Sequence, residues 1–240
     1  MKRVFDLVFS FMGLFFLLPL FILVAITIFL YDFKNPFYTP YRMGKNMKPF
    51  RMFKFRTMIL NADKTGVVST SINDKRILPI GRFIRRYKLD ELLQLVNVLI
   101  GNMSLVGPRP QVVDYVEKEF TDKEKEILTI KPGITDFSSI IFSDEGEILK
   151  FSNNPDQDYN QLIRPWKSRL GIFYISVSSF SLDIKLILLT IIAVFSRKYA
   201  LQKLSTLLLK NNAESKLIQV ASRKTDLKPY FPPGYNKTVT

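Results

Sequence analysis

From Leu7 to Tyr31 the chain runs 25 residues without a charge, bracketed by Lys2, Arg3 and Asp6 before it and Asp32 and Lys34 after it. A bilayer core takes roughly 20 apolar residues of helix, so the run is long enough to cross one. It is too long for a cleaved leader and lacks a small-x-small cleavage site. As a core helix it would be apolar on every face, which a chain of 240 residues has little interior to cover. Pro19, near the middle, removes one helical hydrogen bond and predicts a break or kink. Residues 33–100 hold 14 Lys and Arg against 4 Asp and Glu, so both flanks of the run are basic. The positive-inside rule draws both to the cytoplasmic side. A helix broken at Pro19 that leaves by the face it entered satisfies both features, and the expected arrangement is re-entrant rather than spanning.

What the composition lacks narrows the chemistry further. There is no cysteine and no histidine, which excludes thiolate nucleophiles, Ser-His-Asp triads and His- or Cys-ligated metals. A catalyst built from this alphabet must use carboxylates, Lys, Arg or Tyr, and any metal must be an oxygen-liking ion such as Mg²⁺. No Walker-type G-x-x-x-x-G-K-[ST] loop is present. The formal charge of +14 invites a nucleic-acid reading, but the aromatics are mostly Phe inside apolar runs, which suits packing rather than base stacking. No nucleic-acid partner is expected.

Behind the apolar run, residues 37–58 read as short strands and turns, with Met43-Gly44-Lys45-Asn46 as a turn signal. Residues 61–76 are polar and read as a mobile loop. A helical pattern covers Ile80 to Ile100, with Leu89, Leu92, Leu93, Val96 and Leu99 on one face and Gly101 as its stop. Gly107-Pro108-Arg109-Pro110 is a rigid non-helical turn. Asp114 to Ile130 reads as one charged helix and residues 143–162 as a polar loop. The stretch Leu186–Phe195 is too short to span, and Leu201, Leu204, Leu207 and Leu208 line one side of the segment after it. That pattern suits either an amphipathic helix at the membrane interface or an ordinary core helix. The Pro-containing last 30 residues read as a flexible tail.

The densest charged cluster is Arg82, Arg85, Arg86, Lys88, Asp90 and Glu91, just ahead of an apolar helical face. It reads either as a solvated or headgroup-facing surface, or as a carboxylate nucleophile beside a metal-binding carboxylate, with arginines for an anionic phosphorylated substrate. Arg109, locked between two prolines, is a second candidate phosphate ligand, set against a plain surface turn.

Taken in order, Lys2-Arg3-x-x-Asp6, Phe53-Lys54-Phe55-Arg56-Thr57-Met58, Leu89-Asp90-Glu91-Leu92-x-Gln94, Gly101 to Pro110, Pro132-Gly133-Ile134-Thr135 and Leu182-Asp183-Ile184-Lys185 form a pattern. Over residues 1 to about 197 this pattern closely resembles the bacterial sugar transferases, the monotopic polyprenyl-phosphate phosphoglycosyl transferases. The resemblance implies an α+β monotopic membrane protein: a re-entrant helix over 1–33, a mostly helical catalytic domain with a small sheet over 34–200, and an amphipathic segment and tail over 201–240. It also implies the reaction. Asp90 would take a sugar phosphate from a UDP-sugar, releasing UMP, and pass it to a polyprenyl phosphate, with Glu91 helping to hold Mg²⁺. Lys54, Arg56, Arg86, Arg109 and Pro110 would shape the phosphate and nucleotide pocket. The implied setting is the cytoplasmic face of a bacterial inner membrane, in contact with lipids and compatible with a homodimer, at the start of exopolysaccharide or lipopolysaccharide assembly. A catalytically inactive scaffold of such an assembly is the alternative. Three departures stand out: Leu18 precedes Pro19 where a serine is common, Gly171 replaces a frequent acidic residue, and Asp136-Phe137 replaces a glycine–tryptophan pair.

Overall fold

A computed structural model of the chain describes residues 1–67 and 69–238. Its first half runs α1 (Lys2–Asp32), β1 (Phe37–Tyr38), β2 (Tyr41–Met43), β3 (Pro49–Arg51), β4 (Lys54–Phe55), α2 (Pro79–Arg86), α3 (Gln94–Ile100), β5 (Ser104–Val106) and β6 (Gln111–Val112). The second half holds α4 (Val113–Glu119), α5 (Asp122–Lys125), β7 (Gly133–Thr135), α6 (Phe137–Ile141), α7 (Glu145–Ile148) and α8 (Pro155–Asp158). It closes with α9 (Arg164–Val177), α10 (Phe180–Phe195), α11 (Arg197–Lys210) and α12 (Ser215–Ser222). The expected mostly helical α+β fold is present. Its strands form three small sheets: antiparallel β1–β4, a β3-β2-β6 sheet, and a parallel β5–β7 pair.

α1 is one helix of 31 residues that ends at Phe33, which takes a left-handed conformation and bonds back to the Phe29 carbonyl. Asp6, Ser10, Phe21, Val24 and Ile28 are buried along one stripe, at the three- and four-residue spacing of a helix face. Gly13 lies on the same stripe, and a Cβ there would stand 2.9 Å from Leu95 Cδ1, so α3 packs directly on the α1 backbone. The other side is an exposed apolar surface that includes Phe11, Phe15, Phe16, Leu23, Ile26 and Leu30, and it suits a membrane. The expected break at Pro19 is absent, because the helix runs through the proline uninterrupted. Pro19 sits on the exposed side, where its missing N–H leaves the buried stripe and its packing against the domain intact.

Both ends of α1 are tied to the same body. At the start, Lys2 Nζ donates to Asp183 Oδ2 (2.7 Å), Tyr174 Oη (2.8 Å) and the Val106 carbonyl (2.9 Å). Arg3 donates to the Val98 and Leu99 carbonyls at 2.6 and 2.9 Å, and Asp6 accepts from the Leu105 amide at 3.0 Å. At the far end, Asp32 takes two hydrogen bonds from Arg56, at 2.7 and 2.6 Å.

The two Gly-Pro-type turns lean on one another. β5 and β7 run parallel, with Gly107 N–H bonded to the Thr135 carbonyl and Gly133 N–H to the Pro108 carbonyl, each at 3.0 Å. A Cβ on Gly133 would lie 2.0 Å from the Gly107 nitrogen, so only glycine permits this approach.

Other elements depart from expectation. The single helix over Ile80–Ile100 is two, parted at Lys88, whose φ of 57° is left-handed. The helix expected over Asp114–Ile130 stops at Phe120 and restarts at a Thr121–Glu124 capping box. Glu124 is drawn inward there, accepting from Arg164 Nε at 3.0 Å and Ser168 Oγ at 2.6 Å. The polar stretch 143–162 contains α7 and α8. The loop over 61–76 wraps around Arg76, which bonds Asp74, Thr65 and the Ala62 and Val67 carbonyls.

The main core joins α6, α9, α10, α11 and α12 through Phe137, Trp166, Leu186, Leu204 and Leu217. Of the two readings of residues 201–210, core is the observed one, since Leu201, Leu204 and Leu208 are buried. α10 buries Leu182, Leu186 and Leu189 while Ile184, Leu188 and Ile191 stay exposed, leaving a second apolar outer face. The tail is docked: Tyr230 stacks on Trp166 at 4.7 Å, and Arg169 donates to the Phe231 carbonyl at 2.7 Å.

Gly133→Ala tests the turn contact. Forcing a methyl into this backbone should cost at least about 2 kcal/mol, lowering the melting temperature by roughly 4–8 °C for a chain this size. Unchanged melting of the detergent-solubilised variant would show that the turns do not meet this closely.

Candidate active site

The break at Lys88 creates the site. Beyond it Leu89–Glu91 form a 3₁₀ turn that flows into α3, because Leu92 and Leu93 keep right-handed dihedrals. Leu89, Leu92 and Leu93 pack against Phe21, Val24 and Ile28 of α1, with Phe55 and Ile84. That leaves Asp90 and Glu91 buried, at 6% and 9% exposure. β4 is held onto the same segment by Asn97, which donates to the Arg51 carbonyl at 2.7 Å and accepts from the Phe53 amide at 2.8 Å. This brings Lys54 Nζ to 3.3 Å from Asp90 Oδ2 and 3.4 Å from Glu91 Oε1. From the other side, the Gly-Pro-Arg-Pro turn delivers Arg109, whose Nη1 lies 3.0 Å from Glu91 Oε2 while Nη2 bonds Oε1.

The two carboxylates are therefore unequal. Glu91 is gripped by a two-pronged guanidinium and by Lys54, whereas Asp90 meets Lys54 through one oxygen. Burial pushes the Glu91 carboxyl up, but Arg109 and Lys54 outweigh it and hold the group well below the usual carboxylate range. Glu91 in turn raises the Arg109 guanidinium. Lys88 keeps some surface in water, yet crowding by the protein lowers its ammonium.

Of the residues singled out from sequence, Asp90, Glu91, Lys54 and Arg109 come together, and Pro110 is buried directly behind Arg109. Arg56 and Arg86 do not join them. Arg56 is only 4% exposed and is committed to Asp32 and the Asn35 carbonyl. Arg86 faces outward, with its guanidinium 5.9 Å from the Tyr87 ring centroid.

Sequence reasoning missed two members. Lys167 on α9 bonds Glu145 on α7. Burial raises the Glu145 carboxyl, and Lys167, followed by Arg109 and Lys88, pulls it below its ordinary value. Arg109, Tyr159 and Lys167 also line a shallow, tightly packed cleft together with Gln111, Asp136 and Ser138. Asp136-Phe137 has a structural account: Asp136 caps α6 by accepting from the Ser139 amide at 2.7 Å, and Phe137 is fully buried. Gly171 lies under Pro108, where a Cβ would stand 3.0 Å from Ile127 Cγ2, so a larger residue would displace Ile127.

Among the described residues no three Asp, Glu, His or Cys side chains cluster as a metal cage. Asp90 and Glu91 offer oxygen donors only. That fits Mg²⁺, which is commonly held by one or two carboxylates, with waters and substrate phosphates completing its shell.

The model of the bacterial sugar transferase family matches residues 1–197, so the chain belongs to that family. It is 34% identical to an uncharacterized sugar transferase, EpsL, of Bacillus subtilis (strain 168) over 80% of this chain and 85% of that one. It is 44% identical to a putative undecaprenyl-phosphate N-acetylgalactosaminyl 1-phosphate transferase of the same organism, over 49% of this chain and 65% of the relative. It is also 32% identical to the UDP-glucose:undecaprenyl-phosphate glucose-1-phosphate transferase of Escherichia coli (strain K12), over 83% of this chain. The chain spans 41% of that last relative's length.

The grip on Glu91 has a pH signature. Because its folded pKa is depressed, its contribution to stability is present above the unfolded glutamate value and is lost as pH falls through the folded one. Arg109→Met should cost up to about 3 kcal/mol near neutral pH, the low end for breaking a buried pair, since Lys54 remains. The gap between the two melting curves should narrow as pH drops below the ordinary glutamate range. A gap that stays constant there would separate Arg109 from the state of Glu91.

Proposed function

We propose that the chain is a phosphoglycosyl transferase that moves a sugar 1-phosphate from a UDP-sugar to a polyprenyl phosphate, undecaprenyl phosphate, and so initiates a bacterial glycan or exopolysaccharide. The observation that carries the reading is the asymmetry of the buried pair. Glu91 is bonded by cations through both oxygens, while Asp90, beside it, meets Lys54 through Oδ2, which among the described residues leaves Oδ1 available to attack. The activities for which the undecaprenyl-phosphate transferases among the relatives are named support the same acceptor.

In the first step a carboxylate oxygen of Asp90 attacks the β-phosphorus. The bond from that phosphorus to the bridging oxygen breaks, and UMP leaves with the electron pair. In the second, a phosphate oxygen of the lipid attacks the phosphorus, and the Asp90 carboxylate is released. Arg109, held in plane by Glu91, and Lys54 are the cations at hand for the charge that develops on the phosphoryl oxygens. Glu91, whose Oε2 takes a single bond from Arg109, would help hold Mg²⁺, which would supply neutralisation of the pyrophosphate.

The lipid substrate requires these carboxylates at headgroup depth, and α1 suits that task. A spanning helix parts its ends across the bilayer; here both ends, and the stripe between them, belong to one polar domain. The reading is therefore a monotopic protein on the cytoplasmic face of the inner membrane, with α1 entering and leaving by that face.

With UDP-sugar and Mg²⁺ but no lipid, the purified protein should release UMP and gain the mass of a phospho-sugar. Asp90→Asn should abolish both, and an adduct on that variant would sink the assignment. The chain has no cysteine, so single cysteines at the exposed position 4 and at 238 report topology cleanly without disturbing Lys2. Both should be labelled only from the cytoplasmic side; a periplasmic N-terminus rules out re-entry.

A further inference from the structure

Asp90, Gln94 and Asn97 are all buried polar residues at four- and three-residue spacing, one face of the segment that runs from the Leu89–Glu91 turn through α3. The two carboxamides on this face differ in what they do. Asn97 is fully used, with its oxygen and nitrogen both committed to the β3–β4 backbone at 2.8 and 2.7 Å. Gln94 is 1% exposed, and its Nε2 has no hydrogen-bond acceptor among the described residues.

A buried donor without an acceptor lowers stability, and a methionine or leucine would fill the same space without that cost. Side chains on a helix lean toward its N-terminus, so Gln94 covers the turn that carries Asp90 rather than the one that carries Asn97. Asp90 is also the under-bonded carboxylate of the pair, held among the described residues through Oδ2 by Lys54 at 3.3 Å. A spare donor and a carboxylate with spare acceptors thus lie one helical turn apart on one buried face.

We infer that Gln94 is a positioning residue for Asp90. Its Nε2–H donates to the Asp90 oxygen that does not bond phosphorus, and it fixes the carboxyl plane once the incoming phosphate draws Lys54 away. No proton moves in this contact. It holds the acyl oxygen while the other oxygen forms the bond to the β-phosphorus and UMP departs. The inference rests on the reading of Asp90 as nucleophile.

Gln94→Met separates this role from a structural one. The variant should melt at or above the wild-type temperature, because a buried unpartnered donor is gone. Its KM for the UDP-sugar should be unchanged. The single-turnover rate of adduct formation, read by intact mass without lipid acceptor, should fall about ten- to a hundredfold, the size of one hydrogen bond to a charged group. Gln94→Asn keeps the amide on a shorter arm and should recover part of that rate. Adduct formation within threefold of wild type in Gln94→Met overturns the inference, as does a rate loss accompanied by a drop in melting temperature. Wild-type protein that forms no adduct overturns the Asp90 reading itself, a result distinct from an active wild type with an active variant.

Discussion

Both ends of α1 are fastened to the domain it precedes, and the geometry of the site depends on that. Lys2, itself partly exposed, closes a triangle with the buried Asp183 and Tyr174, and Arg3 occupies the last carbonyls of α3, where a cation satisfies groups the helix leaves unpaired. Arg56 grips Asp32 at the far end. α3 is thereby clamped along α1, with Leu95 against Gly13. The turn at the head of α3 carries Asp90 and Glu91, so their depth relative to the apolar outer face of α1 is set by packing rather than by a flexible linker. α10 meets α1 through Phe180 and Phe5, rings 5.2 Å apart and edge-on.

The parts of this arrangement that were legible in the sequence are those written in local chemistry. The charge-free run and the Gly-Pro turns could be seen there, and Asp90, Glu91, Lys54 and Arg109, which the structure brings together, were among the residues the sequence singles out. The break at Lys88 could not, since nothing about a lysine announces a left-handed residue between two helical patterns. Lys54 and Arg56 share a face by the two-residue period of a strand, so they read as a pair. β4 ends at Phe55, however, and Arg56 turns to meet Asp32, a partner 24 positions earlier. The Thr121–Glu124 capping box starts a new helix where a run of charges reads more readily as one continuous helix. Glu145 and Lys167 are 22 positions apart on different helices, and no spacing rule connects them. The docked tail depends on Trp166 and Arg169 being offered by the fold, which its own proline-rich composition does not reveal.

The charges around Asp90 explain why a buried cluster of this kind can persist. Lys54, Arg109 and Lys167 face Asp90, Glu91 and Glu145, and Lys88 adds a fourth cation at the rim. Removing so many ions from water is costly, and mutual pairing only partly offsets that cost. The surplus is positive, the sign needed to receive a phosphorylated substrate. Because Glu91 already holds both prongs of Arg109, the guanidinium plane is set before any substrate arrives, and little reorganisation is needed when charge develops on a phosphoryl group. The same hold occupies Glu91 as a reacting group. Of two adjacent acids, the one denied freedom organises the cations and the one left under-bonded is available for chemistry. That division of labour originates in the Gly107–Gly133 contact, because the turn delivering Arg109 can approach only where both residues lack a Cβ.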